Sequence, residues 1–405
     1  MTSKYYKIVI ILSIVFFNSV VFSQSDVDWK LQTEKRFFQI LESPSPTQIE
    51  SMKVELWTVQ PGVTLTTAFG HSAIRIYFNK EYDENDYYLE FGMYDPSVEF
   101  IISVLKGDAV YKVNVIPTEV AYTSWDSSGR GVYSIVFNLD TAQKEKLLKE
   151  ILEVYQKNKD GYLYHNFTNN CVTFIRDILS NSLNQKLGYK YREEKRDTRR
   201  ERVIPYSSSI VWLNFSEVLL FDKDTDSVRD EYELTFLPDD LEKAVESSNL
   251  PIEKKEVLPH RWPPQPNNGH TLWILIFLTI IALSLPYEPV KKYEFIANKL
   301  FSIVSTLGGT YSLLIVSTTS FDFMDNSITW LVLNPIDIIF FKEYDKLKNK
   351  KVFWYLFFFR IFLLVTALLL EFTYFPQSIG NLFFLSIYFY ICFFIKYYKE
   401  IQFKL

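Results

Sequence analysis

The sequence predicts an α+β exported domain followed by an α-helical membrane domain of about five spans. Three observations carry this. An apolar leader opens the chain, β-rich runs alternate with amphipathic helical periods from residue 24 to 258, and Phe, Leu and Ile dominate from about residue 270.

The leader, "MTSKYYKIVIILSIVFFNSVVFSQ", places Lys4 and Lys7 ahead of a continuous apolar run, and Val21 and Ser23 offer a small-residue cleavage site before Gln24. Residues 1–23 therefore read as a secretory signal peptide and are set aside from the fold. An uncleaved anchor is the alternative on the same residues, and both predict export. The net charge of −5 averages a polar half and a lipid-facing half, so it points to no partner, and no nucleic-acid partner is expected.

Residues 24–258 read as one mixed domain. "VDWKLQTEKRFFQILES" is an amphipathic helix with Trp29, Leu31, Phe37, Phe38 and Leu41 as its apolar residues. Strand-like runs rich in β-branched and aromatic residues follow at 54–59, 72–78, 87–91, 109–116 and 132–139. Between the third and fourth, "DPSVEFIISVLKGD" predicts a helix with Asp95 as N-cap, Pro96 at its first position and Gly107 as its stop. A second helix aligns Leu147, Leu148, Ile151, Leu152 and Tyr155, and a third begins at Cys171 with Val172, Ile175, Ile178 and Leu179 inward. The mixed-sign run "KYREEKRDTRRER", 190–202, reads as a solvated helix or loop, or as a contact for anionic lipid head groups. Residues 259–270 form a Pro-rich linker in which His260 and His270 are bystanders; it reaches at most ~3.1 Å per residue and keeps the domain near the membrane.

The predicted spans are 271–286, 300–320, 327–341, 353–374 and 377–396 of a membrane domain covering 271–396. The first and third are shorter than the ~20 residues a crossing helix needs. Loop charge supports five. Lys291, Lys292 and Lys299, then Lys342, Lys346, Lys348, Lys350 and Lys351, and then Lys396, Lys399 and Lys404 all fall on one side. That side is inside by the positive-inside rule, with 397–405 as a cytoplasmic tail. Asp337 and Arg360 lie about 6 Å and 10 Å deep at ~1.5 Å per residue, which favours a structural ion pair over a substrate contact.

Four histidines and two cysteines narrow the chemistry. Cys392 falls near the inner end of the last span and cannot meet Cys171, so the exported thiol has no disulfide partner in the chain. It is either a buried inert cysteine or a reactive one. Asn169 or Asn170 is a good N-cap, which puts Cys171 in the first turn of a helix. There the positive end of the helix dipole favours a thiolate, and free N–H groups can stabilise an oxyanion. The base is His71, at the mouth of the strand in "TTAFGHSAIRIYF", or His165 in "YHNFTNNC"; a base from another element suits a helix-N-terminal nucleophile, which favours His71. Glu90, the central polar residue of "YYLEFGMYD", is the candidate to orient the imidazole, against the plainer reading of an exposed strand carboxylate. Neither a His/Asp cluster nor a Gly-rich phosphate loop is present, so no cofactor and no metal is expected.

These residues also carry a resemblance. "GHSAIRI" in a strand, a polar residue in the next strand and "NNCVTF" opening a helix resemble the circularly permuted papain-like arrangement of lecithin–retinol acyltransferase-like enzymes. "LWTVQPGVTLTTAFGHSAIRIYF", "FGMYD", "FIISVLKGDAVYKV" and "NNCVTFIRDIL" are similar, more closely, to the Lnb-type family of lipoprotein N-acyltransferases. The motifs cover residues 50 to 180, and the rest of the chain resembles the family by layout only.

The resemblance implies a papain-like fold for 24–258, with Cys171 as nucleophile and His71 as base. Glu90 departs from the Asn expected in that strand, while Arg176, Asp177 and Asn170 support the site. It also implies transfer of a fatty acyl chain from a phospholipid, or a glyceryl ester, to the N-terminal amine of a diacylglyceryl lipoprotein. The chain would be a multi-pass protein of the cytoplasmic membrane with its catalytic domain in the periplasm. A cell-wall peptide hydrolase with the same Cys-His chemistry and a non-enzymatic membrane sensor are the alternatives.

Overall fold

The computed structural model describes residues 24–64, 66–95, 97–191, 196–207, 210–262, 294–339, 351–373, 386–387 and 390–391. The expected signal peptide 1–23, the predicted span 271–286, His270, Cys392 and the expected tail 397–405 lie outside them, as does most of 377–396.

Central strands buried on both faces build one antiparallel sheet. Its strands are β1 (Met52–Val59), β2 (His71–Phe78), β3 (Asp86–Met93), β4 (Val110–Pro117), β5 (Val132–Phe137), β6 (Tyr162–Leu163) and β7 (Ile252–Leu258), in the order β6-β4-β3-β2-β1-β5-β7. The five predicted strands are β1 to β5, with ends moved by one or two residues. The helices are α1 (Gln24–Glu42), α2 (Pro46–Ser51), α3 (Val98–Lys106), α4 (Thr118–Ser128), α5 (Thr141–Asn158), α6 (Cys171–Leu183), α7 (Arg199–Ser207), α8 (Val211–Leu220), α9 (Lys223–Asp226) and α10 (Pro238–Glu246), then α11 (Glu294–Thr318), α12 (Thr329–Val332) and α13 (Lys351–Thr373). The exported part is thus a mixed α/β unit on an antiparallel sheet.

Each sheet face has its own cover. Leu56, Ile74, Leu89, Val115 and Ile135 meet α1, α5, α6 and α10 through Phe37, Leu148, Ile175 and Leu241. On the other face Trp57, Ala73, Tyr88 and Val132 pack against Ala121 and Trp125 of α4. Leu31, one of the apolar residues of this helix, is exposed, because α1 turns Thr33, Phe37, Phe38 and Leu41 inward instead. The cap of α3 is Ser97, whose Oγ accepts from the Phe100 N–H, rather than Asp95; Gly107 ends the helix at φ 80° as expected.

The end of the basic run, from 198 to 202, is not a solvated face. Arg199, Arg200 and Arg202 are buried and pair with Asp224, Asp226 and Asp240. The Arg200 guanidinium also donates to the Glu217 and Phe221 carbonyls, tying α7 to the end of α8. Alternating signs give no clue that carboxylates farther along the chain fold back over these arginines. The linker begins in a similarly bound state: Gly131 N–H donates to His260 Nδ1 at 3.0 Å and Trp262 Nε1 donates to the Ser128 carbonyl at 2.8 Å. His260 is therefore a bonded residue rather than a bystander.

Among the described residues, two helices are long and apolar enough to cross a membrane, over Lys299–Thr318 and Trp354–Glu371. They turn apolar side chains outward, among them Leu300, Val304, Leu307 and Leu314 on α11 and Phe358, Phe359, Phe362 and Leu369 on α13. Contiguous apolar surface of that kind marks a membrane or protein contact. The predicted span 327–341 is not one continuous helix in its described part. It is α12, then extended backbone at Leu333 and Asn334, then a 3-10 turn at Pro335–Asp337.

The break has a physical repair. Leu331 and Val332 carbonyls lose their helical partners, and the Arg360 guanidinium donates to both. Broken helices at membrane depth need this kind of internal satisfaction. Gly309 lets the break approach α11, since a Cβ there would stand 2.2 Å from the Leu333 carbonyl oxygen. Arg360 Nε reaches Asp337 Oδ1 at 2.8 Å, and Ser305 and Tyr390 hydroxyls donate to the same carboxylate. Both partners of the ion pair are fully buried.

Removing one charge of a buried pair costs about 3–5 kcal/mol because the other is left uncompensated. Arg360→Leu should lower the folded yield of the membrane protein sharply. Asp337→Leu added to it should restore part of the yield, since the Leu331 and Val332 carbonyls still lack their donor. Yield by size-exclusion fluorescence reads this; a double variant as poor as the sum of the singles would show that the two charges do not interact.

Candidate active site

Strand register places the first two residues. Gly70, at φ 79°, makes the turn into β2; a Cβ there would meet the Val59 carbonyl oxygen at 2.9 Å. His71 follows on the face that Ala73 shares, and Ala73 lies opposite Glu90 on β3. The His71 imidazole Nε2 and Glu90 Oε2 are 2.8 Å apart. Asn114 lies opposite Glu90 on β4, and its Nδ2 donates to Glu90 Oε1 at 2.7 Å. One carboxylate therefore bridges two strands, with each oxygen assigned. The strand carboxylate is not an exposed one: the His71 and Glu90 side chains are 16% and 17% exposed.

The nucleophile candidate comes from the other element. The ladder between β2 and β3 stops at Ala73 and Glu90, and β3 has an irregular register between Phe91 and Met93. That irregularity lies on the β4 side of β3, and irregularities of this kind recur beside active sites. The end of pairing at Ala73 leaves Ser72 outside the β2–β3 ladder, and its backbone N–H donates to Cys171 at the start of α6. The Cys171 side chain also hydrogen-bonds His71. Glu90 occupies Nε2, which leaves Nδ1 as the nitrogen for the thiol.

The helix end is built by Asn170. Its Oδ1 accepts from Val172 and Thr173 N–H groups, both at 2.9 Å, and the Thr173 hydroxyl accepts from the Asn170 N–H. Its Nδ2 donates to the Asn166 and Phe236 carbonyls, which locks the cap. Two of the N–H groups expected to serve an oxyanion are consequently spent on the cap. The N–H of Cys171 itself has no acceptor among the described residues and is the one left for that task.

The electrostatics follow from this packing. Burial pushes the Cys171 thiol up, but the adjacent His71 and the Ser72 N–H outweigh it, so the thiol ionises below its usual range. Burial alone would lower His71; the Cys171 thiolate and then Glu90 reverse this and push it up to about 10. Glu90 is held below its usual range, burial being outweighed by His71 and Asn114. Both shifts favour a thiolate–imidazolium pair with a carboxylate behind it.

The other candidates separate cleanly. His165 Nδ1 accepts from Phe167 and Thr168 N–H groups at 3.2 Å, and its Nε2 lies 2.9 Å from Asp322. Both nitrogens are spent on a contact away from the thiol. Arg176 donates to the Tyr232 and Thr235 carbonyls and pairs with Asp177, so both residues brace the helix rather than touch Cys171.

Sequence reasoning missed three neighbours. Asn114 stands as the lone amide in the apolar strand "VYKVNVIP", a signal that was readable. Trp125 lies 5.8 Å from the His71 ring and donates to the Tyr88 hydroxyl. Arg130 is buried over Trp125 at 4.9 Å, and burial brings its guanidinium down to about 10. No group of three or more metal-ligating side chains occurs among the described residues.

Residues 45–203 match the family model of the Lnb N-terminal periplasmic domain. The match is consistent with an Lnb-type family for this segment. No curated protein and no solved structure matches the chain. The Lnb match contains His71, Glu90, Asn114, Arg130 and the whole of α6, and it stops inside α7, before the segments that carry the outward apolar surface. A periplasmic-domain family and two apolar helices together describe a membrane protein with a periplasmic domain.

Because the Cys171 pKa is lowered and the His71 pKa raised, the ion pair exists between the two. Alkylation of Cys171 by iodoacetamide should therefore titrate with a midpoint below the ~8.5 of free cysteine. Glu90→Gln withdraws the carboxylate that helps hold the proton on His71, so the His71 limb should move to lower pH. A midpoint at or above the free value in the folded protein would exclude the thiolate.

Proposed function

We propose that the chain is a thiol-dependent acyltransferase of the cytoplasmic membrane, with the permuted papain-like arrangement in its exported domain. It would transfer a fatty acyl chain from a phospholipid to the N-terminal amine of a diacylglyceryl lipoprotein. The observation that carries the reading is the Cys171–His71–Glu90 relay, assembled from a helix N-terminus and two strands, in an Lnb-type segment. The chain order supports the permuted arrangement, since the histidine strand precedes the cysteine helix. The lysine distribution supports five spans with the catalytic domain outside, the third being broken at Leu333.

In the first half-reaction the Cys171 thiolate attacks the ester carbonyl of the donor. The oxyanion takes the Cys171 N–H, the carbon–oxygen bond breaks, and His71 gives its proton to the departing glyceryl oxygen. A lysophospholipid leaves, and an acyl thioester remains. In the second, the lipoprotein amine attacks the thioester, His71 takes the amine proton, and the thiolate is re-formed as the amide departs. Glu90, held by Asn114, keeps one imidazole orientation through both steps. Amide formation from an ester runs downhill, so no energy source is required. The acceptor is anchored at the same surface, which raises its effective concentration.

Mass spectrometry of a lipoprotein's N-terminal peptide, from cells with and without this protein, tests the reading. The intact protein should add one fatty acyl group to the terminal amine. Cys171→Ala and His71→Ala should each abolish the addition, the latter in line with the ~10²–10⁴-fold contribution of a general base. Cys171→Ser should leave little. Glu90→Ala should give a partial loss, and His165→Ala the smallest. Normal acylation in the Cys171→Ala strain would leave the sensor reading in its place.

A further inference from the structure

Helix α3 puts Val98, Ile101 and Ile102 at i, i+3 and i+4, which is one helical face. All three are exposed, by 54%, 40% and 47%. The charged residues Glu99 and Lys106 stand in the first and last turns, leaving this face aliphatic. On the inner side Phe100 stacks on Tyr94 with ring centres 4.4 Å apart. Both meet the Tyr111 ring edge-on, and Tyr111 meets Tyr164 at 4.4 Å. Tyr164 opens the connection that leads into Cys171. Burial first, and then the charge of Cys171, hold the Tyr164 phenol well above its usual range, so the aromatic run ends within the field of the thiolate.

The far end of α3 is fixed to a candidate span. Ser320, two residues beyond the end of α11, donates its N–H to the Lys106 carbonyl at 2.6 Å and its hydroxyl to Asp108. Phe321 packs on Gly107, where a Cβ would come within 3.0 Å of it. The exposed aliphatic face is thereby held at the outer end of an apolar helix long enough to cross a bilayer.

We propose that the Val98–Ile101–Ile102 face of α3 lies in the acyl region of the outer leaflet. The Phe100–Tyr94–Tyr111–Tyr164 run then leads one phospholipid acyl chain from that face to Cys171. The route to the thiol rests on the acyltransferase reading, whereas the seating of α3 in lipid does not. An acyl chain entering along this path never crosses water, which also protects a thioester from hydrolysis. The aromatic rings offer flat apolar walls with polar tips, the side-chain type that suits a membrane interface.

The test uses the full-length protein in phosphatidylcholine–phosphatidylglycerol vesicles. With Cys171→Ala and Cys392→Ala as background, Ile102→Cys carries the environment-sensitive NBD fluorophore. Blue-shifted emission quenched by doxyl-labelled phospholipids is expected; aqueous emission without quenching overturns the proposal. In protein that keeps Cys171, Ile102→Asp should slow acyl-thioester formation from the vesicles by about tenfold or more, because a carboxylate is costly in lipid. Alkylation of Cys171 by iodoacetamide should keep its rate, which separates lipid entry from unfolding. Thioester formation at the unaltered rate in Ile102→Asp overturns the route. Quenching at position 102 without any acyl thioester in the parent protein would instead sink the acyltransferase reading and leave α3 in the leaflet.

Discussion

The site depends on the register of the sheet, and the register is pinned by Arg75. Its guanidinium is buried between Glu55 of β1 and Asp86 of β3, donating to Asp86 Oδ1 at 3.0 Å and to Glu55 Oε2 at 3.2 Å. Glu55 also accepts from Trp57, Ser134 and Lys255, so one carboxylate gathers side chains from β1, β2, β5 and β7. Asp86 accepts from the Thr118 hydroxyl at the start of α4. Such a network adds less to stability than its many bonds suggest, because each charge must first be desolvated. Its effect is on pairing. A slip of one residue between β2 and β3 would leave Arg75 buried without its carboxylates and would turn Glu90 to the opposite face from His71. Arg75 and His71 stand on one face of one strand, and the first holds the second in line with its partners.

A pinned sheet also explains why the strands can part without unravelling. Beyond Ala73 and Glu90 the β2–β3 ladder is given up, and the freed Ser72 N–H goes to Cys171. The lost strand pairing is recovered as a charge-assisted bond to sulfur, which is the stronger kind. The cap on α6 is equally closed: Asn170 makes bonds with both its amide oxygen and its amide nitrogen, so the cysteine cannot drift by rotation of the helix end. Charge on sulfur is then balanced by imidazolium, and charge on imidazolium by Glu90, with each group less than a fifth exposed on the histidine side.

Much of this was legible in the sequence. Alternation put Ala73, Arg75 and Tyr77 on the face of His71, Glu90 stood out as the polar centre of the next strand, and the Asn-Cys step located the helix start. The cross-strand partner Asn114 was not found, because alternation gives a residue's face but not which residue lies opposite on the next strand. The arginines at 199, 200 and 202 were misread for a related reason: mixed charge in a window says nothing about carboxylates that fold over it from another segment. The broken segment at 327–341 had two warnings, its short length and the Asn-Pro pair at 334 and 335. Hydropathy registers apolar composition but is blind to a break that a distant arginine makes tolerable.

The remaining histidine shows how the two parts of the chain are joined. His165 accepts two backbone N–H groups on Nδ1, which fixes its tautomer and leaves Nε2 to donate to Asp322 in the connection after α11. The same connection is bonded at Lys106 by Ser320, and its Phe323 carbonyl accepts from the Asp222 N–H. Phe321 and Phe323 fill a cluster with Phe167, Phe221 and Phe236. Three anchor points that do not lie on one segment fix an orientation, where a single tether would fix only a distance. One of those anchors, His165, is six residues from Cys171, and another ends α3. The connection after α11 therefore sets the position of the thiol relative to the apolar helix, and the height of Cys171 above that helix is a property of packing rather than of linker length.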